Sequence, residues 1–356
     1  MFNLQSLLAA ALLGAASVAA APQTTGASGA ACNNSPSLCN RPYNTITHMG
    51  AHDAAFLRDA STQNSIAGNQ YKNATVALDA GLRLLQAQVH KSDNALRLCH
   101  TSCKLLDAGP LQNWLAAINV WMAKNPNEVV TIILVNSDSA SASELGAVFQ
   151  RSGISKYGYT PAGSTATGNW PTLQTMINQN TRLVSYVTNA KYDSSVPYLL
   201  PEFNYVFETP FEVTSLDGFN CSLDRPKALG TSGASAVSQN YLSLVNHFKY
   251  QQLLAGVLVP DTDKLSIVNS PETSTTGNLG LHLKNCQSEW GARPNYVLVD
   301  FWNQENPLAA ADALNGVSDF AGRKITTEAT SKATEQFQGM AKGALLAFCA
   351  AALLIL

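Results

Sequence analysis

The sequence predicts one α/β domain built on a largely parallel sheet, and three observations carry that reading. Short apolar, β-rich runs alternate with longer helical patterns from about Asn40 to Val317, with nothing in that span that reads as a linker. The run Val129–Val135 is apolar without alternation, as expected of a strand covered on both faces. No GxGxxG or Walker loop argues for a nucleotide-binding sheet. Periodicity leaves a barrel and a doubly wound sheet both open.

In chain order, strands are expected at Tyr43–His48, Leu82–His90, Ala95–Leu98, Val129–Val135, Arg182–Val187, Tyr205–Glu208 and Tyr296–Phe301, where β-branched and aromatic residues concentrate. Helices are expected at Leu111–Lys124, Ser143–Arg151, Ala236–Leu254 and Pro307–Leu314. Only 13% of the residues are charged and the formal net charge is −2. Ordinary domains carry about 25% charge, so Ser, Thr, Asn and Gln must dress this surface. No segment concentrates Lys or Arg, and nucleic acid is not an expected partner.

Both ends read as addresses. Residues 1–21 hold no charged side chain and run from an apolar stretch into small residues before Pro22, the pattern of a secretory signal. Residues 22–39 read as a leader, 40–317 as the domain, and 318–342 as a polar stalk. From Gly343 the last 14 residues are uncharged, too few for a bilayer that needs roughly 20. Small residues around Ala329–Ala333, a polar spacer and that tail make the signal for a glycosylphosphatidylinositol (GPI) anchor, the tail at 343–356 being removed. The expected location is therefore extracellular, on the cell surface, held to the membrane by lipid.

Seven cysteines are present, and removal of the tail takes Cys349 and leaves six. Six can pair fully in an oxidising compartment. Fifteen connectivities exist; sequence proximity suggests Cys32–Cys39, Cys99–Cys103 and Cys221–Cys286. Zinc is the rival reading of clustered cysteines, but no CxxC occurs. Sequons at Asn33, Asn73 and Asn220 fit the same secretory route.

Polar residues at strand ends mark the candidate site. Gly50 can let the chain turn so that His52 and Asp53 project from a sheet end. Along the next strand Gln86, Gln88 and His90 share one face and Leu85, Ala87 and Val89 the other. A third strand delivers His100 inside a short disulfide loop, and Asp300 stands late in an apolar strand. A carboxylate there is costly unless partnered, and an imidazolium is the obvious partner.

Gly50-Ala51-His52-Asp53-Ala54, the run Asp79–Gln88, Leu96–His100, Asn127–Val135 and Val297–Asn303, in that order, resemble the phosphatidylinositol-specific phospholipase C X-domain family, and among its members the secreted fungal phospholipase C-like phosphodiesterases. The resemblance spans roughly residues 40–317. It implies a somewhat irregular TIM barrel and a phosphoric diester hydrolase acting on a phosphoinositide-type lipid or related phosphodiester. It implies His52 as general base on the inositol 2-hydroxyl, His100 as general acid on the leaving oxygen, Asp53 as support of the acid and Asp300 as the carboxylate that orients the base. Relatives place charged residues or calcium ligands where this chain has Gln86 and Gln88. Those residues, with His90, are expected to touch substrate as neutral hydrogen-bonders, with no metal and no cofactor. Missing charge predicts weakened catalysis, since electrostatic stabilisation is usually the largest catalytic term. His90, Lys91, Arg97 or Lys104 would have to supply the cation. The second reading is a catalytically silent surface protein that uses the same barrel to bind a headgroup. The chain is expected to act as a monomer.

Overall fold

The computed structural model describes residues 30–253 and 256–324. Its order is β1 (His48–Ala51), α1 (Ala74–Ala80), β2 (Leu84–Ser92), β3 (Ala95–Cys99), β4 (Asp107–Pro110), α2 (Leu111–Lys124), β5 (Val130–Asn136), α3 (Ala142–Arg151), α4 (Leu173–Asn178), β6 (Leu183–Val187), β7 (Leu199–Pro201), β8 (Val206–Glu208), α5 (Gly233–Ser238), β9 (Leu242–Asn246), β10 (Tyr250–Gln252), β11 (Leu258–Pro260), α6 (Leu265–Val268), α7 (Leu279–Trp290), β12 (Tyr296–Val299) and α8 (Leu308–Asn315).

Eight strands pair in parallel in the order β7-β6-β5-β2-β1-β12-β9-β8. Neighbours in the sheet follow chain order and β12 returns beside β1, which is the winding of a barrel and not of an open doubly wound sheet. Among the described residues β7 and β8 do not pair, so one seam stays open. The fold is a single-domain α/β irregular TIM barrel. Beyond the barrel's end β2 continues into an antiparallel meander with β3 and β4.

Period-two alternation divides the core. Leu84, Ile133, Tyr186, Leu200, Leu244, Tyr296 and Leu298 fill the barrel, while Leu85, Ala87, Ile132, Leu134, Val245, Val297 and Val299 meet the helices. The barrel floor is hydrogen-bonded through Tyr43, Thr131, Tyr296 and Tyr186 hydroxyls. Helix ends follow local chemistry. Asn73 caps α1 by accepting from the Val76 N–H, and Ser141 with Glu144 forms a capping box on α3.

The differences from sequence expectation have physical causes. Tyr43–Thr45 is a 3-10 turn that seats Tyr43 on the floor, and the strand starts only at His48. Gly50 is required there, because a Cβ would come within 2.5 Å of the Leu84 side chain. The helix expected over Ala236–Leu254 is instead α5, β9 and β10. Asn240, in the left-handed region at φ 66°, ends the helix, and Leu242–Asn246 is buried on both faces. Part of the expected leader packs as structure. Cys32, Leu38 and Cys39 join the barrel-filling cluster, and Asp319 ties Ser35 and Ser37 to the end of the domain.

Disulfides join Cys32–Cys39, Cys99–Cys103 and Cys221–Cys286. Asn73 and Asn220 are exposed, whereas Asn33 is buried with its side-chain oxygen accepting from the Val129 N–H. A glycan on Asn33 would have to break that contact. The expected signal peptide, the attachment window at Ala329–Ala333 and the apolar tail lie outside the described residues. Among the described residues no helix is long and apolar enough to cross a membrane.

Candidate active site

Three strands end in the same local device. After His52 the chain enters the left-handed region at Asp53 (φ 45°), after His100 at Thr101 (φ 62°), and after Asp300 at Phe301 (φ 46°). Such conformations cost a non-glycine residue on the order of 1–3 kcal/mol and persist where surroundings hold them. Each N–H is gripped. The Asp53 N–H donates to Gln86 Oε1 at 3.1 Å, Thr101 to Gln88 Oε1 at 2.9 Å, and Phe301 to the Asn69 carbonyl at 2.9 Å. These turns swing His52, His100 and Asp300 together over the C-terminal end of the barrel, where barrel enzymes build their sites.

His52 Nδ1 lies 2.8 Å from Asp300 Oδ1. A carboxylate can only accept, so Nδ1 carries the proton and Nε2 of the neutral ring is a free base. Asn69 Nδ2 also donates to Asp300 Oδ1, at 3.2 Å. The Phe248 ring stacks on His52 with centroids 3.6 Å apart and planes 7° from parallel. His100 Nδ1 lies 2.7 Å from the Ala67 carbonyl and donates to it, which directs Nε2 the other way. The Phe56 ring stacks on His100 with centroids 5.1 Å apart.

Asp53 joins the two rings. Its Oδ2 is 3.6 Å from His52 Nε2, 3.4 Å from His100 Nε2, and accepts from Gln88 Nε2 at 3.0 Å. Asp53 is fully buried, while His52 and His100 keep 5% and 8% of their surface. Burial by itself lowers the His52 pKa, but Asp53 and Asp300 outweigh it and leave the imidazole above its ordinary 6.5. Burial raises Asp53 above the usual carboxylate range, against the pull of His52 and His100. The cluster thus holds one proton acceptor aligned by a carboxylate, and a second imidazole whose Nε2 lies beside the Asp53 carboxylate, where a proton on it is stabilised.

Gln86 Oε1 and both ends of the Gln88 amide are engaged with Asp53 and Thr101, so of the two amides the Gln88 group is fully occupied within the site. They act here as supports of the turns. His90 sits on the antiparallel extension of β2 opposite Arg97, with Nδ1 3.4 Å from Asp138 Oδ1, outside the hydrogen bonds that link the histidines. Lys91 turns to Glu144 and Arg97 to Asp107, and Lys104 is exposed. Sequence reasoning missed Ala67, Asn69, Gln70, Phe56 and Phe248. Gln70 Nε2 donates to the His52 carbonyl at 2.6 Å and to the Val299 carbonyl at 3.1 Å. These residues come from loops without period, and a backbone carbonyl such as that of Ala67 has no sequence signal at all.

Among the described residues, the cluster of three His, Cys, Asp or Glu side chains with ligand atoms within 4.8 Å of one another is Cys221, His282 and Cys286. Its two sulfurs are bonded to each other, which removes them as thiolate ligands. Among the described residues, the carboxylates beside His52 and His100 do not form such a group.

The family model PI-PLC X 1 matches residues 38–315. A PI-PLC X domain-containing protein 1 of the fungus Arthroderma benhamiae is 35% identical over 288 residues, covering 80% of this chain and 90% of that protein. An uncharacterized secreted protein of the same fungus is 34% identical over 322 residues, covering 88% and 70%. Among solved structures, the phosphatidylinositol-specific phospholipase C of Listeria monocytogenes superimposes with a TM-score of 0.52 at 16% identity, covering 81% of this chain and 98% of that one. At that identity the likeness speaks for the fold.

Proposed function

The chain belongs to the PI-PLC X-domain family, and from that premise we propose that it is a secreted, lipid-anchored phosphoric diester hydrolase that cleaves a phosphoinositide-type lipid or a related phosphodiester without a metal. The single observation that carries this reading is the placement of two imidazole Nε2 atoms, at 3.6 and 3.4 Å, around one buried carboxylate oxygen. In-line displacement at phosphorus needs a proton acceptor and a proton donor. His52 Nε2 takes the proton of the ring 2-hydroxyl, whose oxygen attacks phosphorus. The bond to the glycerol oxygen breaks as His100 Nε2 gives that oxygen a proton. The products are a cyclic phosphodiester and diacylglycerol, and each transferred proton is accounted for. Asp300 holds the tautomer of the base, and Asp53 stabilises the imidazolium form of the acid.

Exposed apolar side chains on segments next to the site favour a lipid substrate. Leu105, beside the His100 loop, and Val257 and Leu258, on the β10–β11 hairpin that follows Phe248, are large apolar side chains left exposed. Transport to the cell surface accords with the likeness to a secreted fungal protein. The test is His52→Ala and His100→Ala: each should abolish release of cyclic inositol phosphate while the protein stays folded. Wild-type protein that leaves every inositol phospholipid and GPI substrate intact, yet binds inositol phosphate, would move the reading to a silent surface receptor. The orientation of Lys91 and Arg97 away from the site is the observation that keeps this second reading in play.

A further inference from the structure

Arg58 takes part in none of the contacts that define the histidine pair. It is buried, with its guanidinium carbon 5.0 Å over the Phe301 ring. Its Nε donates to the Gly68 carbonyl at 3.2 Å, and Nη2 donates to the Ile66 carbonyl and, at 3.5 Å, to that of Pro260. Its own N–H donates to the Gln70 carbonyl at 2.8 Å. No carboxylate pairs with it among the described residues. Asp300 and Asp263 act on it only through space, against the cost of burial, and a buried arginine without a direct ion pair is costly to desolvate, so its position must return something.

What it grips is the five-residue stretch that touches both histidines. Ile66 and Gly68 flank Ala67, whose carbonyl receives the His100 Nδ1 proton. Asn69 and Gln70, next in the chain, hold Asp300 and the His52 carbonyl. The stretch lies so close to residues 57 and 58 that a Cβ on Gly68 would come within 2.5 Å of the Leu57 carbonyl oxygen. A planar fork with fixed donors suits two carbonyls separated by one residue better than the point charge of a lysine does.

We infer that Arg58 is a positioning residue whose guanidinium fixes the carbonyls on either side of Ala67 and thereby presents the Ala67 carbonyl to His100. Its Nε and Nη2 donors are turned to the backbone. The inference rests on the proposed function only for its catalytic consequence; the geometry stands apart from turnover.

Two variants, Arg58→Met and Arg58→Lys, are compared with Arg151→Met, which alters a helix-surface arginine bonded to Gln112. Imidazole ¹⁵N–¹H spectra should show a slowly exchanging Nδ1 proton of His100 in the wild type, assigned by its absence in His100→Gln. That signal should vanish in Arg58→Met, weaken in Arg58→Lys and persist in Arg151→Met. On phosphatidylinositol vesicles, kcat should fall about 10–100-fold in Arg58→Met with KM within about threefold, as for a small misplacement of a reacting group. If Arg58→Met does not fold, the lysine variant carries the comparison. A His100 signal that survives in both Arg58 variants, or is absent from the wild type, overturns the inference. Loss of the signal in a protein that shows no turnover at all leaves the clamp standing and removes the phosphodiesterase reading.

Discussion

Replacing Gln88 by leucine asks whether the amides on β2 serve substrate or the site itself. The change removes the donor 3.0 Å from Asp53 Oδ2 and the acceptor 2.9 Å from the Thr101 N–H. Asp53 Oδ1 has no hydrogen-bond partner, so its carboxylate would keep only the two imidazoles. Loss of a hydrogen bond to a charged group costs about 1.5–3 kcal/mol. The Thr101 N–H sits on an exposed residue, where water can replace the lost acceptor. Stability should therefore fall by about 2–3 kcal/mol, or roughly 3–5 °C in Tm for a domain of this size. Displacing Asp53 shifts both proton carriers, and kcat should fall about 10²-fold with KM nearly unchanged. Thermal unfolding followed by circular dichroism and initial rates of cyclic inositol phosphate release read the two effects. A raised KM with intact kcat would show that Gln88 touches substrate, and unaltered kinetics and Tm would remove its supporting role.

With its pKa raised mainly by Asp53 and Asp300 against burial, His52 as base should make kcat/KM climb through a limb above about pH 6.5; Asp300→Asn should move that limb to lower pH and cut kcat by about 10²–10⁴, and an unmoved limb would detach Asp300 from the base. Groups whose folded pKa is raised stabilise most below their unfolded pKa and lose that contribution as pH rises through the folded value. The stability difference between wild type and His52→Gln should accordingly shrink as pH rises above about 6.5, and a constant or growing difference in urea unfolding would contradict it. Removing Cys221–Cys286, with its separation of 65 residues, should cost about 4 kcal/mol, against about 2 kcal/mol for Cys99–Cys103 with a separation of 4. Loss of the shorter bridge should nonetheless harm turnover more, because it frees the His100 loop; equal rates in the two double serine variants would argue otherwise.

The sequence marked those parts of the molecule that depend on period and on rare side chains. The two-faced apolar run of β5 announced a covered parallel sheet, and its burial is complete but for Val135. Winding around a barrel was not legible from spacing, since it depends on β12 returning beside β1 from nearly 250 residues away; the family resemblance supplied it. Leu242–Asn246 was misread as helix because a short apolar run fits both periods, and the chain length needed to arbitrate was confused by the adjoining α5. His52, Asp53, His100 and Asp300 were visible as polar residues at strand ends. The supports were not: Asn69 and Gln70 look like ordinary loop polars, and Gln86 and Gln88 appeared aimed at substrate until the left-handed turns at Asp53 and Thr101 revealed what their oxygens hold.

One measurement bears on the whole reading: ³¹P NMR of phosphatidylinositol vesicles incubated with the purified protein in the presence of a chelator. The expected spectrum shows a cyclic inositol phosphate growing at an unchanged rate with chelator, and none of it with His52→Ala or His100→Ala. Lipid phosphorus that stays unaltered under wild-type protein, or product that forms equally well without either histidine, would contradict catalysis by the His52–Asp53–His100 cluster.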